Sequence, residues 1–277
     1  SCLVGSEMCI RDRSMTDQTV TTDIDSRGVA KVTLNRPEKH NAFDDAVIAE
    51  LRAAFDELVS NEDVRVVVLA SEGKSFSAGA DLGWMKRMAA YDYADNHRDA
   101  QALAGMLQAL AALPQPTIAR VQGAAYGGAV GLVSCCDMAV ASEAASFCLS
   151  EVKIGLIPAT ISPYVIRAMG ERAARRYFTT AERFDAAEAQ RIGLASKVTA
   201  PETLDDAVEA LVSTLLQNGP AAVRASKQLV VDFAGREISP EIIEDSCGRI
   251  ARIRVSEEGQ QGLDAFLNKR QPAWLGD

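Results

Sequence analysis

A chain of 277 residues, 48% hydrophobic and 24% charged, can bury a full core as one large domain or as one domain with an appendage. The formal net charge of −9 and the pI near 4.9 argue against a general nucleic-acid or anionic-membrane surface. Six cysteines without a C-x-x-C pair, and two distant histidines (His40 and His97), argue against a disulfide framework and a histidine-rich zinc site, and predict a reducing, cytoplasmic setting.

Residues 1–14 share neither composition nor pattern with the rest of the chain and read as a non-native leader before Met15. Residues 28–34 alternate, with Ala30, Val32 and Leu34 on one face, which predicts a half-exposed strand. Asp44 or Asp45 can cap a helix whose apolar residues fall at Val47, Leu51, Phe55 and Leu58. Residues 64–70 form a short β-branched run, read as a buried strand, and the small-residue loop Ser75-Phe76-Ser77-Ala78-Gly79-Ala80-Asp81-Leu82 comes after it. A long helix carrying Leu103, Met106, Leu107 and Leu110 stops before Pro114 and Pro116. Residues 117–122 then give another strand, succeeded by a second small-residue loop, Tyr126-Gly127-Gly128-Ala129; residues 138–141 add a further strand.

Residues 123–142 have about the length of a membrane span, but their glycines, Asp137 and flanking turns read as buried core. From Leu204 onward the pattern is helix after helix. Leu204, Val208, Leu211 and Leu215 share one face, and Asn218-Gly219-Pro220 ends that helix and starts the next. Pro240 opens another, with Ile242, Ile243 and Ile250 as expected core. Strands separated by helices favour a parallel sheet with right-handed crossovers.

The two small-residue loops carry the chemistry. Each comes just after a buried strand and leads into a segment that can open a helix, so a ligand can approach bare backbone and unpaired N–H groups. Two such loops can aim one N–H each at the same oxygen, which stabilises an oxyanion on a carbonyl. Glu151, in the apolar frame Leu149-Ser150-Glu151-Val152, supplies a desolvated carboxylate whose raised pKa suits proton transfer near neutrality.

These loops resemble those of the crotonase family, the enoyl-CoA hydratases and isomerases. The resemblance spans residues 19–274. It includes Leu34-Asn35-Arg36-Pro37-Glu38-Lys39-His40-Asn41-Ala42-Phe43, Cys136-Asp137-Met138-Ala139, Gly155-Leu156-Ile157-Pro158 and the tail Gly262-Leu263-Asp264-Ala265-Phe266-Leu267-Asn268-Lys269-Arg270. It implies an α/β fold, a crotonase-like spiral of ββα units over residues 15–204 with a helical C-terminal oligomerisation section over residues 205–277. It also implies packing into a homo-oligomer, a trimer or a hexamer built as a dimer of trimers.

By that resemblance the thioester carbonyl sits between the N–H groups of Ala80 and Gly128, and Glu151 is the catalytic glutamate. The CoA-binding positions are Lys39, His40, Ala42, Ala78, Asp81 and Leu82, with Phe266 and Lys269 reaching in from a neighbouring subunit. Trp84, Tyr126, Gly131 and Ile161 are expected at the acyl pocket. The implied partner is an acyl-CoA thioester, with neither nucleic acid nor membrane, no metal, and no cofactor beyond the coenzyme A of the substrate.

The chain departs from the family at Gly131, where two-glutamate hydratases carry the first glutamate, and at Ala159-Thr160-Ile161-Ser162-Pro163-Tyr164, which replaces a glycine-rich run. Glycine at 131 is expected to vacate volume for a branched acyl group. The segments Asp81-Leu82-Gly83-Trp84-Met85-Lys86-Arg87-Met88, Ser162-Pro163-Tyr164-Val165 and Gly170-Glu171-Arg172-Ala173-Ala174-Arg175-Arg176-Tyr177-Phe178 look like those of the bacterial branched-chain members, the methylglutaconyl-CoA and carboxygeranoyl-CoA hydratases. Hydration of a branched, carboxylated enoyl-CoA is therefore the leading expectation, with Lys86 and Arg87 meeting the distal carboxylate. A Δ3–Δ2 enoyl-CoA isomerase using one glutamate is the same-fold alternative, and an acyl-CoA thioester hydrolase the alternative of another class.

Overall fold

Short β-branched runs become strands in the computed structural model, which describes residues 18–276; the expected leader at residues 1–14 lies outside them. Among the described residues the strands, in chain order, are β1 (Val20–Ile24), β2 (Val29–Leu34), β3 (Val66–Ser71), β4 (Thr117–Val121), β5 (Ala125–Tyr126), β6 (Met138–Ser142), β7 (Ser146–Cys148), β8 (Phe184–Asp185) and β9 (Lys197–Thr199). The helices are α1 (Asp45–Val59), α2 (Leu82–Met88), α3 (Tyr93–Ala111), α4 (Gly128–Cys135), α5 (Ser162–Met169), α6 (Glu171–Thr180), α7 (Ala186–Arg191), α8 (Leu204–Leu216), α9 (Pro220–Phe233), α10 (Pro240–Val255) and α11 (Glu257–Leu267).

The larger sheet has the order β1-β2-β3-β4-β6-β9, antiparallel between β1 and β2 and parallel thereafter. A smaller sheet, β5-β7-β8, stands beside it, and its first pair is parallel. All six residues of β3 are buried because both faces are covered. Val67 and Leu69 join the main core with α1 and α3, whereas Val66 and Val68 join a smaller core completed by Leu204, Val208 and Val212 of α8. Double burial is what a continuous apolar run in a parallel strand signals. The same smaller core corrects the expectation for residues 28–34. Val29 packs into it and Thr33 is buried, so Lys31 alone in β2 is exposed.

The side chain of Asp44 accepts the Val47 N–H at 2.9 Å and thereby caps α1. Its buried stripe includes Val47, Leu51, Phe55 and Leu58, the residues the helical period picked out. Phe55 is fully buried, and its truncation to alanine would cost about 3–5 kcal/mol. Residues 123–142 divide into β5, α4 and β6, and no helix among the described residues is long and apolar enough to cross a membrane.

The C-terminal section is helical as expected, but the core expected on α10 is not there. α9 and α10 contain no buried residue, and Ile243 and Ile250 are exposed rather than core. Polar ties hold this section instead. Lys227 Nζ donates to the Gln115 carbonyl at 2.9 Å and pairs with Asp137 at 2.7 Å, and Arg224 donates to the Val64 carbonyl at 2.8 Å.

Candidate active site

The first small-residue loop is pinned on both sides of Ala80. The Phe43 N–H donates to the Gly79 carbonyl at 2.7 Å, and the Asp81 N–H donates to the Phe43 carbonyl at 2.6 Å. This is one rung of parallel pairing, Phe43 with Ala80, and in such a rung the N–H of Ala80 itself must point away from Phe43. Gly79 has φ +94° and lies so near the second loop that a Cβ there would sit 3.1 Å from the Tyr126 carbonyl oxygen.

The second loop turns at Gly127, φ +55°, whose N–H donates to the Cys148 carbonyl at 2.8 Å. Gly128 then opens α4, so its N–H belongs to the helix's unpaired first turn. Among the described residues, neither the Ala80 nor the Gly128 N–H finds an acceptor. Both residues line one cavity of about 420 Å³.

Glu151 begins a single 3-10 turn, Glu151–Ile154, just after β7. A Cβ on Gly127 would lie 3.3 Å from Glu151 Oε1, so the carboxyl abuts the second loop, and glycine leaves it room. Oε2 is buried and has no hydrogen-bond partner among the described residues. Burial pushes the carboxyl above the ordinary glutamate range, against a smaller opposing hydrogen bond from its own backbone N–H. Of the residues lining the cavity, Glu151 alone is ionisable. A desolvated carboxylate with one unpartnered oxygen, in the same cavity as two free N–H groups, can move a proton next to a carbonyl whose oxygen those groups hold.

The walls are apolar. Trp84 is buried there, its indole N–H donating to Asp99 at 2.9 Å, and Met85, Met88, Leu103 and Ile161 complete that side. Two pocket expectations need correction. Gly131 lies outside the lining: a Cβ there would stand 2.3 Å from Ile161 Cγ2, so isoleucine has taken the space instead of leaving it vacant. Tyr126 also faces elsewhere, with its hydroxyl 3.0 Å from Ser146 Oγ and Arg183 stacked over its ring. Lys86 and Arg87 do not line the cavity either; Arg87 pairs with Asp45.

Of the positions expected to meet coenzyme A, Ala78 and Leu82 line the cavity. His40 and Asn41 occupy consecutive left-handed backbone positions, φ 50° and 53°. Asn41 braces this turn by donating to the Glu72 and Ser75 carbonyls at 2.7 and 3.0 Å. The His40 carbonyl accepts the Ala78 N–H at 2.9 Å, and the Ala42 carbonyl accepts Arg36 Nη1 at 3.1 Å. Asp81 is fully engaged. Burial alone would raise its pKa, but hydrogen bonds from the Trp84 and Gly83 N–H groups, with the charges of Lys39 and Arg36, outweigh that and hold it below the usual aspartate range. Lys39 Nζ stands 3.5 Å from its carboxylate. Phe266 and Lys269 are exposed at the end of α11 and do not touch this cavity within the chain.

The sequence profile of the enoyl-CoA hydratase/isomerase family matches residues 25–277. The chain belongs to that family. Its fold agrees, being the crotonase fold of solved relatives. An enoyl-CoA hydratase from Shewanella pealeana is 46% identical, with a TM-score of 0.89 over 95% of this chain and 100% of that one. An enoyl-CoA hydratase from Mycobacterium smegmatis is 36% identical, with a TM-score of 0.88 over 94% and 100%. AtuE from Pseudomonas aeruginosa is 34% identical, with a TM-score of 0.89 over 93% and 99%. Family membership makes the chain an enzyme of hydratase/isomerase type with an acyl-CoA thioester as its substrate class.

The cavity also holds residues that the sequence alone did not single out: Phe43, Met85, Met88, Leu103, Ser150 and Thr160. Met85 and Met88 had a readable signal, since with Trp84 they make an apolar stripe at helical spacing on α2. Phe43 ended the segment that resembles the family but had no cavity signal of its own, because a phenylalanine before a helix cap usually reads as core.

Proposed function

We propose that this enzyme hydrates a branched enoyl-CoA, with the thioester oxygen held by the Ala80 and Gly128 N–H groups and Glu151 as its one proton-transfer carboxylate. The observation that carries the reading is Glu151 Oε2, buried and unpartnered on the cavity wall beside the second loop. Negative charge reaches the thioester oxygen as water adds at the distal carbon of the double bond, and fixed N–H dipoles lower that barrier. Glu151 takes the proton of the attacking water and returns one to the carbon next to the carbonyl. Coenzyme A lies across the turn that joins His40 to Ala78, with Lys39 at its edge, and the acyl branch packs on Met85, Leu103 and Ile161.

The lone carboxylate also favours a second reading, a Δ3–Δ2 isomerase in which Glu151 carries one proton between two carbons. Among the described residues the cavity lining offers no cation to a distal acyl carboxylate, so a dicarboxylic substrate would place that group outside the lining. Incubation with 3-methylcrotonyl-CoA and 3-methylglutaconyl-CoA in oxygen-18 water tests the readings together. Label in a product hydroxyl is expected. Double-bond movement without label would establish the isomerase, and release of free coenzyme A a thioester hydrolase.

A further inference from the structure

We infer that Phe43 is a positioning residue that sets the separation and aim of the two N–H donors. The inference rests on the two-donor reading above and concerns what holds the donors in place. Phe43 is buried, 2% exposed, and lines the cavity. Its backbone grips both neighbours of Ala80, through the Gly79 carbonyl at 2.7 Å and the Asp81 N–H at 2.6 Å. Its ring meets the other donor residue. A Cβ built on Gly128 would fall 3.1 Å from Phe43 Cε2 and 3.2 Å from Cδ2, so the ring edge faces Gly128 with little room for any side chain between them. One residue thus bears on both donor residues, its main chain bracketing Ala80 and its ring facing Gly128.

Phe43 is itself held from both directions. The next residue, Asp44, caps α1 and pairs with Arg36 at 3.0 Å, and Arg36 also donates to the carbonyl of Ala42, the residue before. The left-handed turn at His40 and Asn41 feeds directly into this clamp. A rigid strut between the loops matters because amide dipoles favour the charge-developing oxygen only when prealigned to it. Losing the ring should let the Gly128 peptide drift while Ala80 keeps its backbone rung. Transition-state stabilisation then falls more than ground-state binding does.

Vibrational spectroscopy of a bound ester reads the donors directly. The probe is 3-methylcrotonyl-CoA labelled with carbon-13 at the thioester carbonyl, bound to Glu151→Gln so that it is not turned over. The carbonyl stretch should shift to lower frequency on binding, and Phe43→Ala in that background should lose most of the shift. With Glu151 intact, Phe43→Ala should lower kcat about tenfold or more while KM changes less than about threefold. Phe43→Leu keeps a methyl near the Cδ2 position and should recover part of both.

A native shift in Phe43→Ala, with kcat and KM moving together or not at all, overturns the proposal. No shift even in the Glu151→Gln parent overturns the two-donor reading and this proposal with it. Should Phe43→Ala fail to fold, the Phe43→Leu spectrum decides: a partial loss supports the strut, and a native shift rejects it.

Discussion

Every residue of β3 is buried and six residues of α1 are, whereas across α9, α10 and α11 only Ala265 is. The sheet region packs apolar side chains on both faces and closes a cavity in which one oxygen of the Glu151 carboxyl is left without a partner among the described residues. Lys227, Arg224 and their carbonyl acceptors tie down α9, and the last three helices leave Val230, Ile243, Val255, Phe266 and Leu267 open to solvent. Burial is what raises the Glu151 pKa, so the proposed chemistry draws on the packing of the sheet region. Exposed apolar residues on well-formed helices are what an assembly surface would present, and this is the ground for proposing assembly as the role of the C-terminal section.

The largest expected effect tests the first half of that contrast. Glu151→Gln keeps size and hydrogen bonding but removes basicity, so turnover should fall about 100-fold or more. Binding of the CoA ester and the oligomeric state should hardly change. In the unaltered enzyme kcat/KM should decline as pH drops through the raised Glu151 pKa, because protonation removes the base. Near-normal turnover of the variant, in steady-state assays, would remove Glu151 from the mechanism.

The second half is tested by deleting residues 258–277, most of α11 and the tail. The expected outcome is a lower oligomer by light scattering and a CoA-ester affinity weakened about tenfold, because a neighbour's Phe266 and Lys269 would no longer complete the ligand site. A truncated protein that stays assembled and binds normally would show that the cavity is closed within one chain.

How far the sequence revealed this contrast depends on where each signal comes from. The periodicity of α1 and the run of β3 were legible because burial there is decided within the chain. Ile243 and Ile250 carried the same apolar signal, yet periodicity cannot say whether the covering surface belongs to this chain or to another. In the site, both glycine loops and Glu151 were visible as local patterns. The fate of Gly131 was not, because the side chain that fills its space, Ile161, lies thirty positions on and meets it only through packing of α4 against the start of α5.

That contact gives a smaller, local test of the sheet region's tightness. Gly131→Ala inserts a methyl where Ile161 already stands, and the protein should lose about 1–3 kcal/mol of stability. In an Ile161→Ala background the same change should be nearly neutral, giving a coupling term in a double-mutant denaturation cycle. Strict additivity would mean that the two positions do not compete for one space.

The smallest effect expected concerns the stability that Glu151 withholds. Its pKa is raised by burial above the unfolded value, so the folded state holds the proton more tightly than the unfolded state does. The group's favourable contribution is complete below the unfolded carboxyl pKa and is lost as pH rises through the folded one. At pH 8 the ionised, unpartnered carboxylate therefore burdens the fold, and Glu151→Gln should melt higher than the unaltered enzyme, by on the order of a degree or two. Below pH 4.5, the ordinary glutamate value, both carry a neutral group and the difference should vanish. Scanning calorimetry of the two proteins across that range measures it. Equal melting temperatures at pH 8 would mean that solvent or a neighbouring subunit satisfies Oε2. The burial that separates the sheet region from the exposed helices would then stop short of Glu151.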